Sequence, residues 1–272
     1  TTPDWTASLE GSPAWASLGA AGGSGPGSLT ITFNTAALAA GSYNSALILN
    51  SGGTLSRQNF SLTIITPNVV KMEADYNRQA IYALHRGTQA TNPPGYLIIY
   101  NTGTEQVEKV IPAGTNPTDL DISYAEDKIY VSNHGVAPGS IRVIDPAAMR
   151  EIRAMNGGPD VYQINAGKAG RLITEGFNQW INAEIRTSGT GASLNTLYLR
   201  QGDGESDPSG RYYYHCDTDI SSARVTRYDV QADTFAAGPA GIVHDNSERN
   251  LVMSGDGSRI FWNSYAYDSQ LN

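Results

Sequence analysis

Four histidines and two short acidic runs carry most of the chemistry open to this 272-residue chain. His85, His134 and His215 each stand at or just after the end of an apolar, strand-like stretch, and His244 follows in a turn-like segment. Imidazoles gathered on one rim of a fold would suit a transition metal. Their offsets within the stretches differ and no tight ligand spacing links them, which favours ordinary hydrogen-bonded rim residues. Asp203, Glu205 and Asp207 alternate through a Gly/Ser/Pro-rich run that reads as a loop, and Asp217 and Asp219 alternate in a second. Alternating carboxylates on a loop suit Ca²⁺, which is the metal most in keeping with this chain. The second run lacks the glycine and distal glutamate of an EF-hand, and solvated turn acids are the plainer reading. Cys216 follows His215, but neighbours on a strand point to opposite faces, so the cysteine is expected to be buried and inert rather than a nucleophile. Ser254-Gly255-Asp256-Gly257 and Gly202-Asp203-Gly204 are turn sequences with no helix after them, so neither reads as a phosphate-binding loop.

Aromatic side chains offer a second kind of chemistry, stacking on a sugar ring or peptide. The candidates are Trp5, Trp15, Tyr213 in the run Tyr212–Tyr214, and Trp262 beside Phe261, Tyr265 and Tyr267. Strand alternation sends about half of such clusters into a core, so core packing competes with binding at each.

Composition bounds the elements that must position these groups. The formal net charge is −8, which argues against an electrostatic nucleic-acid or anionic-membrane partner. No apolar run nears the roughly 20 residues of a membrane-spanning helix. A single cysteine rules out an internal disulfide. Charged residues are 16% and apolar residues 40%, so the chain has apolar matter for cores and is not a disordered polyelectrolyte.

Residues 1–66 hold only Asp4, Glu10 and Arg57 as ionised side chains, and charges become regular from Lys71. The shift places a boundary near Thr66-Pro67-Asn68. Before it, Leu29-Thr30-Ile31-Thr32-Phe33, Ala46-Leu47-Ile48-Leu49 and Phe60-Ser61-Leu62-Thr63-Ile64 alternate with period two, the mark of half-buried strands. Glycine-rich turns separate them, and about 65 residues of short strands suit a small β-sandwich.

Residues 69–272 repeat. A polar turn followed by a strand recurs at Ile81, Ile129, Leu172, Tyr212 and Ile260, in steps of 40–48 residues. A second landmark, Tyr100-Asn101-Thr102, Ile144-Asp145-Pro146 and Tyr228-Asp229-Val230, keeps the same period, with its skipped copy at Ile185-Arg186-Thr187. This period, built from strands and tight turns, predicts β-propeller blades of four strands each. The fourth blade shows no clear first strand before Arg211, and about four and a half blades are present. Closure would then require another segment or another chain over the end near Ile260–Asn272, so the chain reads as part of a longer protein. The fold class expected is all-β: a small Ig-like β-sandwich over 1–66, then a β-propeller over 69–272.

Two family resemblances follow from these residues. Trp5, Pro13-Ala14-Trp15, Leu29–Asn34 and above all Leu38-Ala39-Ala40-Gly41-Ser42-Tyr43 resemble the BACON-type Ig-like module of secreted bacterial proteins. Ile129-Tyr130-Val131-Ser132-Asn133, Ile141–Pro146 and Ala113–Thr118 resemble the YVTN type of propeller, found in bacterial and archaeal surface proteins. The resemblances imply an extracellular, cell-surface or periplasmic place. The leading expectation is a non-enzymatic binding or scaffold protein, with a surface protein, a polysaccharide or further copies of itself as partner. An enzyme of the lactonase or metal/quinone-dependent oxidoreductase kind using the rim histidines is the first alternative. A carbohydrate-binding module using Trp5 or Trp15 is the second.

Overall fold

Period-two alternation of β-branched and aromatic residues dictates strands, and every regular element among the described residues is one. The computed structural model describes residues 4–89, 91–135, 140–158, 160–178, 180–199, 201–218, 224–235 and 251–272. Among these no helix is long and apolar enough to cross a membrane. The chain divides into two compact units, Thr1–Pro67 and Asn68–Asn272.

The first unit holds β1 (Asp4–Leu9), β2 (Ala16–Leu18), β3 (Gly22–Ser24), β4 (Ile31–Phe33), β5 (Gly41–Ser51) and β6 (Thr54–Ile64). One antiparallel sheet has the order β3-β1-β5-β6, and β2 pairs with β4. The long β5–β6 hairpin turns on Gly52 and Gly53, whose φ angles of 57° and 84° match a two-residue turn. Trp15, Phe33, Tyr43 and Phe60 form its aromatic centre, with Trp15 5.9–6.0 Å from each of the other rings.

The second unit is a series of antiparallel sheets in chain order. The first is β7 (Val69–Asp75), β8 (Ala80–Arg86), β9 (Pro94–Asn101) and β10 (Gln106–Thr115). The second is β11 (Pro117–Ser123), β12 (Lys128–Asn133), β13 (Ile141–Asp145) and β14 (Arg150–Met155). The third is β15 (Gln163–Gly167), β16 (Arg171–Glu175), β17 (Ala183–Thr187) and β18 (Ser193–Leu197). The fourth is β19 (Gly202–Ser206), β20 (Tyr212–Asp217), β21 (Val225–Asp229) and β22 (Thr234–Phe235). The fifth has three described strands, β23 (Val252–Met253), β24 (Arg259–Trp262) and β25 (Tyr265–Asp268).

Each pair of successive sheets shares one apolar cluster. Leu84, Leu120 and Ile129 join the first to the second. Tyr130, Ile164 and Leu172 join the second to the third. Ile173, Tyr213 and Tyr228 join the third to the fourth, and Tyr214, Cys216, Ile260 and Trp262 join the fourth to the fifth. Each fully buried aliphatic side chain of this kind contributes about 1.5–3 kcal/mol.

Turn chemistry repeats with the sheets. A left-handed residue precedes the second strand of the first four: Gln79, Asp127, Gly170 and Gly210, with φ of 49–68°. The turn after the third strand opens on a capping side chain. Asn101 Oδ1 accepts from the Gly103 and Thr104 amides, Asp145 Oδ1 from Ala148, and Asp229 Oδ1 from Gln231 and Ala232. In the third sheet Thr187 Oγ1 accepts from Thr190 at 3.2 Å. Thus the aspartate landmark of the sequence is the cap of one turn, and threonine replaces it in the third sheet.

One expectation is corrected. Asp203 and Glu205 do not lie in a loop; they sit on β19, the first strand that the fourth blade seemed to lack. Near Ile260–Asn272, β24 pairs on both sides, and Gly255 in the turn before it stands where a Cβ would come 3.0 Å from Tyr76 Oη.

Candidate functional site

The first strands β7, β11, β15, β19 and β23 form the inside of the second unit. They do not hydrogen-bond to one another as a sheet, so their inward amides need other acceptors. Carboxylates supply three. Asp119 Oδ2 accepts from Ile164 N at 2.9 Å, Asp121 Oδ2 from Ala166 N at 2.5 Å, and Asp203 Oδ2 from Leu251 N at 2.8 Å. In each case an acid on one sheet latches the inner backbone of a later one.

The same strands wall a cavity of about 440 Å³, to which all five sheets contribute. Lys71, Glu73, Asp121 and Glu205 line it, with Ala166 and Met253 as apolar wall. Lys71 Nζ lies 3.5 Å from Asp119 Oδ1 and 3.6 Å from Glu73 Oε1. The turns after the first strands form the mouth, where Tyr76 and Tyr124 stand with ring centroids 6.5 Å apart. Tyr76 is 73% exposed there, whereas Tyr124 donates its hydroxyl to Ala74 O at 3.1 Å.

Crowding of acids sets the electrostatics. Asp119 holds Lys71 charged well above the usual lysine range. Burial pushes Asp121 up to about 8, and the neighbouring Glu73 adds to the effect. Burial likewise raises Glu205 well above the carboxylate range and raises Glu73, Asp119 and Asp203, with Lys71 opposing in each case. A desolvated carboxylate without enough cations nearby holds its proton. The cavity therefore holds more acid groups than its one lysine can neutralise, and burial keeps protons on them.

Among the described residues, His85, His134 and His215 each keep separate surroundings. His85 is buried, accepts from Asn68 N on Nδ1 at 2.8 Å, and lies 5.9 Å from the Tyr96 ring. His134 packs against Tyr162 and Phe177 at 5.5 and 5.6 Å. His215 is buried in β20, its Nε2 3.2 Å from Glu175 Oε2 and its Nδ1 3.7 Å from Asp217 Oδ1. Burial lowers the pKa of His85 and of His134. No group of three or more metal-ligating side chains forms among the described residues.

The remaining sequence candidates are placed as follows. Asp207 closes its turn, accepting from Tyr212 N and Ser209 Oγ. Asp217 ends β20, and Asp219 and His244 lie outside the described residues. Tyr213 and Trp262 have no exposed surface with which to stack on a ligand, and Tyr213 donates its hydroxyl to Glu175. Trp15 sits in the aromatic centre of the first unit, and Trp5 lies over Gly23. Cys216 is fully buried, and burial pushes its thiol far above the reactive range. Of the cavity acids the sequence pointed to Asp203 and Glu205 but not to Glu73, Asp119 or Asp121, although the doublets Lys71/Glu73, Asp119/Asp121 and Asp203/Glu205 each alternate on the first strand of a repeat.

Residues 68–272 thus form a β-propeller: successive antiparallel meanders whose first strands surround an axial cavity. Solved structures share this fold. Hydrazine synthase of Kuenenia stuttgartiensis matches with TM-score 0.52 at 13% identity, over 85% of this chain and 69% of that one. The β-propeller domain of Cps50 (Swd1) from Myceliophteria thermophila matches with TM-score 0.56 at 11% identity, over 72% of this chain and 62% of that one. A protein of unknown function from Desulfotomaculum acetoxidans matches with TM-score 0.55 at 14% identity, over 79% of this chain and 68% of that one. At such identities the likeness is one of fold. No protein-family model and no curated protein matches the sequence.

Proposed function

We propose that the chain is a non-enzymatic binding protein whose propeller holds a small ligand in its axial cavity. The observation that carries this reading is the cavity itself: about 440 Å³, walled by five inner strands. That volume lies in the range of small-molecule sites. Four charged side chains point a ligand's polar groups to it, and an exposed tyrosine stands at the mouth. The enzyme alternative calls for the rim histidines or the acidic runs to meet as metal ligands in a central pocket; no group of three or more such side chains does so among the described residues.

The N-terminal unit, on this reading, is an accessory Ig-like module of the BACON type, and the propeller is of the YVTN type. The motifs quoted above support both, together with a place outside the cytoplasm or at the cell surface. The packing of Trp15 among Phe33, Tyr43 and Phe60 favours a core role over sugar stacking.

A thermal-shift screen of the full chain against organic cations, organic anions and neutral sugars tests the reading. A ligand present at about a hundredfold over its Kd stabilises by about 2.7 kcal/mol, so one chemical class should raise the melting temperature. The shift should vanish when Ala166→Trp fills the cavity. No shift from any class, or a shift that Ala166→Trp leaves intact, overturns it.

A further inference from the structure

We propose that the axial cavity takes an organic amine carrying two or more ammonium groups, seated between Glu73 and Glu205. The proposal deepens the reading of the cavity as a ligand site and rests on it.

Charge complementarity carries the argument. Five acids on the inner strands (Glu73, Asp119, Asp121, Asp203, Glu205) face one inner-strand cation, Lys71. Asp119, Asp121 and Asp203 spend one oxygen each on latching a neighbouring backbone. Glu73, 3.6 Å from Lys71 Nζ, and Glu205 latch no backbone among the described residues, so their carboxyls are what a ligand entering the cavity meets. At the rim Lys168 and Asp207 offset one another, and the fifth sheet contributes Leu251, Val252 and Met253, none of them charged.

An orphaned acceptor points the same way. Ser206 Oγ, on the cavity wall, lacks a partner among the described residues. A buried acceptor left open costs about 1–3 kcal/mol, which an N–H donor relieves. An ammonium brings three donors and a charge. The acids do not converge as a set of metal ligands among the described residues. Dispersed charge suits ammonium groups separated by methylenes, and the exposed face of Tyr76 at the mouth suits a cation or its alkyl chain.

The sign of the pH dependence follows. Glu73, Asp121 and Glu205 hold protons above the ordinary carboxylate range, so a cation that needs them ionised must displace protons. Affinity then rises with pH.

Isothermal titration calorimetry of the full chain tests the proposal with spermidine, 1,4-diaminobutane, n-butylamine, 1,4-butanediol, CaCl₂ and MgCl₂. The expected order is spermidine, then the diamine, then butylamine at least about tenfold weaker, in keeping with the added charge-assisted bonds. Protons should be released, visible as heats that vary with the buffer's ionisation enthalpy. Glu73→Gln and Glu205→Gln, isosteric changes that relieve repulsion, should each weaken diamine binding about tenfold while the melting temperature at pH 8 does not fall. Equal affinity for diamine and butylamine, or binding without proton release, overturns the proposal. Binding of Ca²⁺, Mg²⁺ or the diol without the amines also overturns it, but leaves the cavity as a ligand site. Binding of nothing defeats both.

Discussion

Glu205 shows what one residue does when strand geometry forces an acid inward. Its neighbour Gly204 packs against Tyr213 of β20, and the carboxyl meets Glu73, Asp121 and Asp119, with Lys71 as its counter-ion. Burial raises its folded pKa well above the 4.5 of a free glutamate. A raised carboxyl pKa gives stability that is fully present below the unfolded value and is lost as pH climbs toward the folded one. Asp121, raised from 3.8 to about 8, acts in the same sense across that whole window. Asp229 and Asp145, held below the ordinary range first by turn amides, act oppositely and only in acid. The melting temperature should therefore be highest in mildly acidic solution and decline toward pH 8. Glu205→Gln should flatten that decline, with a gain at pH 8 of about 2–4 °C for each kcal/mol of repulsion relieved. Differential scanning calorimetry at several pH values checks this; an unchanged slope in the variant contradicts it.

At the scale of the element, β19 explains both what the sequence hid and why. Gly202 stands where a Cβ would come 2.5 Å from His215 Nε2, and a Cβ on Gly204 would come 1.8 Å from Tyr213 Oη. The strand must be glycine at these positions for the two large side chains of β20 to lie against it. Its sequence, Gly-Asp-Gly-Glu-Ser, consequently carries none of the β-branched residues that mark a strand, and it reads as a metal-binding loop. The other repeats are legible because their second strands carry apolar runs, such as Ile129-Tyr130-Val131 in Lys128–Asn133, and because Asn101, Asp145 and Asp229 cap equivalent turns. The cavity was harder to see than the blades for a related reason. Its acids belong to three separate strands, β7, β11 and β19, and only the arrangement of the sheets makes them neighbours. Gly204→Ala should cost about 3 kcal/mol or more, since fully buried Tyr213 has nowhere to move. Gly189→Ala, which meets only Thr187 Oγ1 at an ordinary 3.5 Å, should fall within about 0.5 kcal/mol. Urea unfolding of both variants decides; equal costs would mean that β19 is not clamped against β20.

At the scale of the whole molecule, the chain joins two units of different chemical character. The first 67 residues are nearly uncharged, and their aromatic centre is built from Trp15, Tyr43, Phe60 and the partly exposed Phe33. The second unit concentrates charge where most folds exclude it, along the axis. Acids there do two jobs that its ring geometry imposes. Asp119, Asp121 and Asp203 satisfy inner-strand amides that no sheet partner reaches, and Glu73 and Glu205 leave a field for a cation. The account stands on that field having an occupant. The most direct measurement is a crystal structure of the full chain with spermidine at about pH 8, where the acids are most ionised. The account predicts amine nitrogens within hydrogen-bonding reach of Glu73 and Glu205, inside the ring of inner strands. An axial cavity holding only solvent at saturating amine would contradict it.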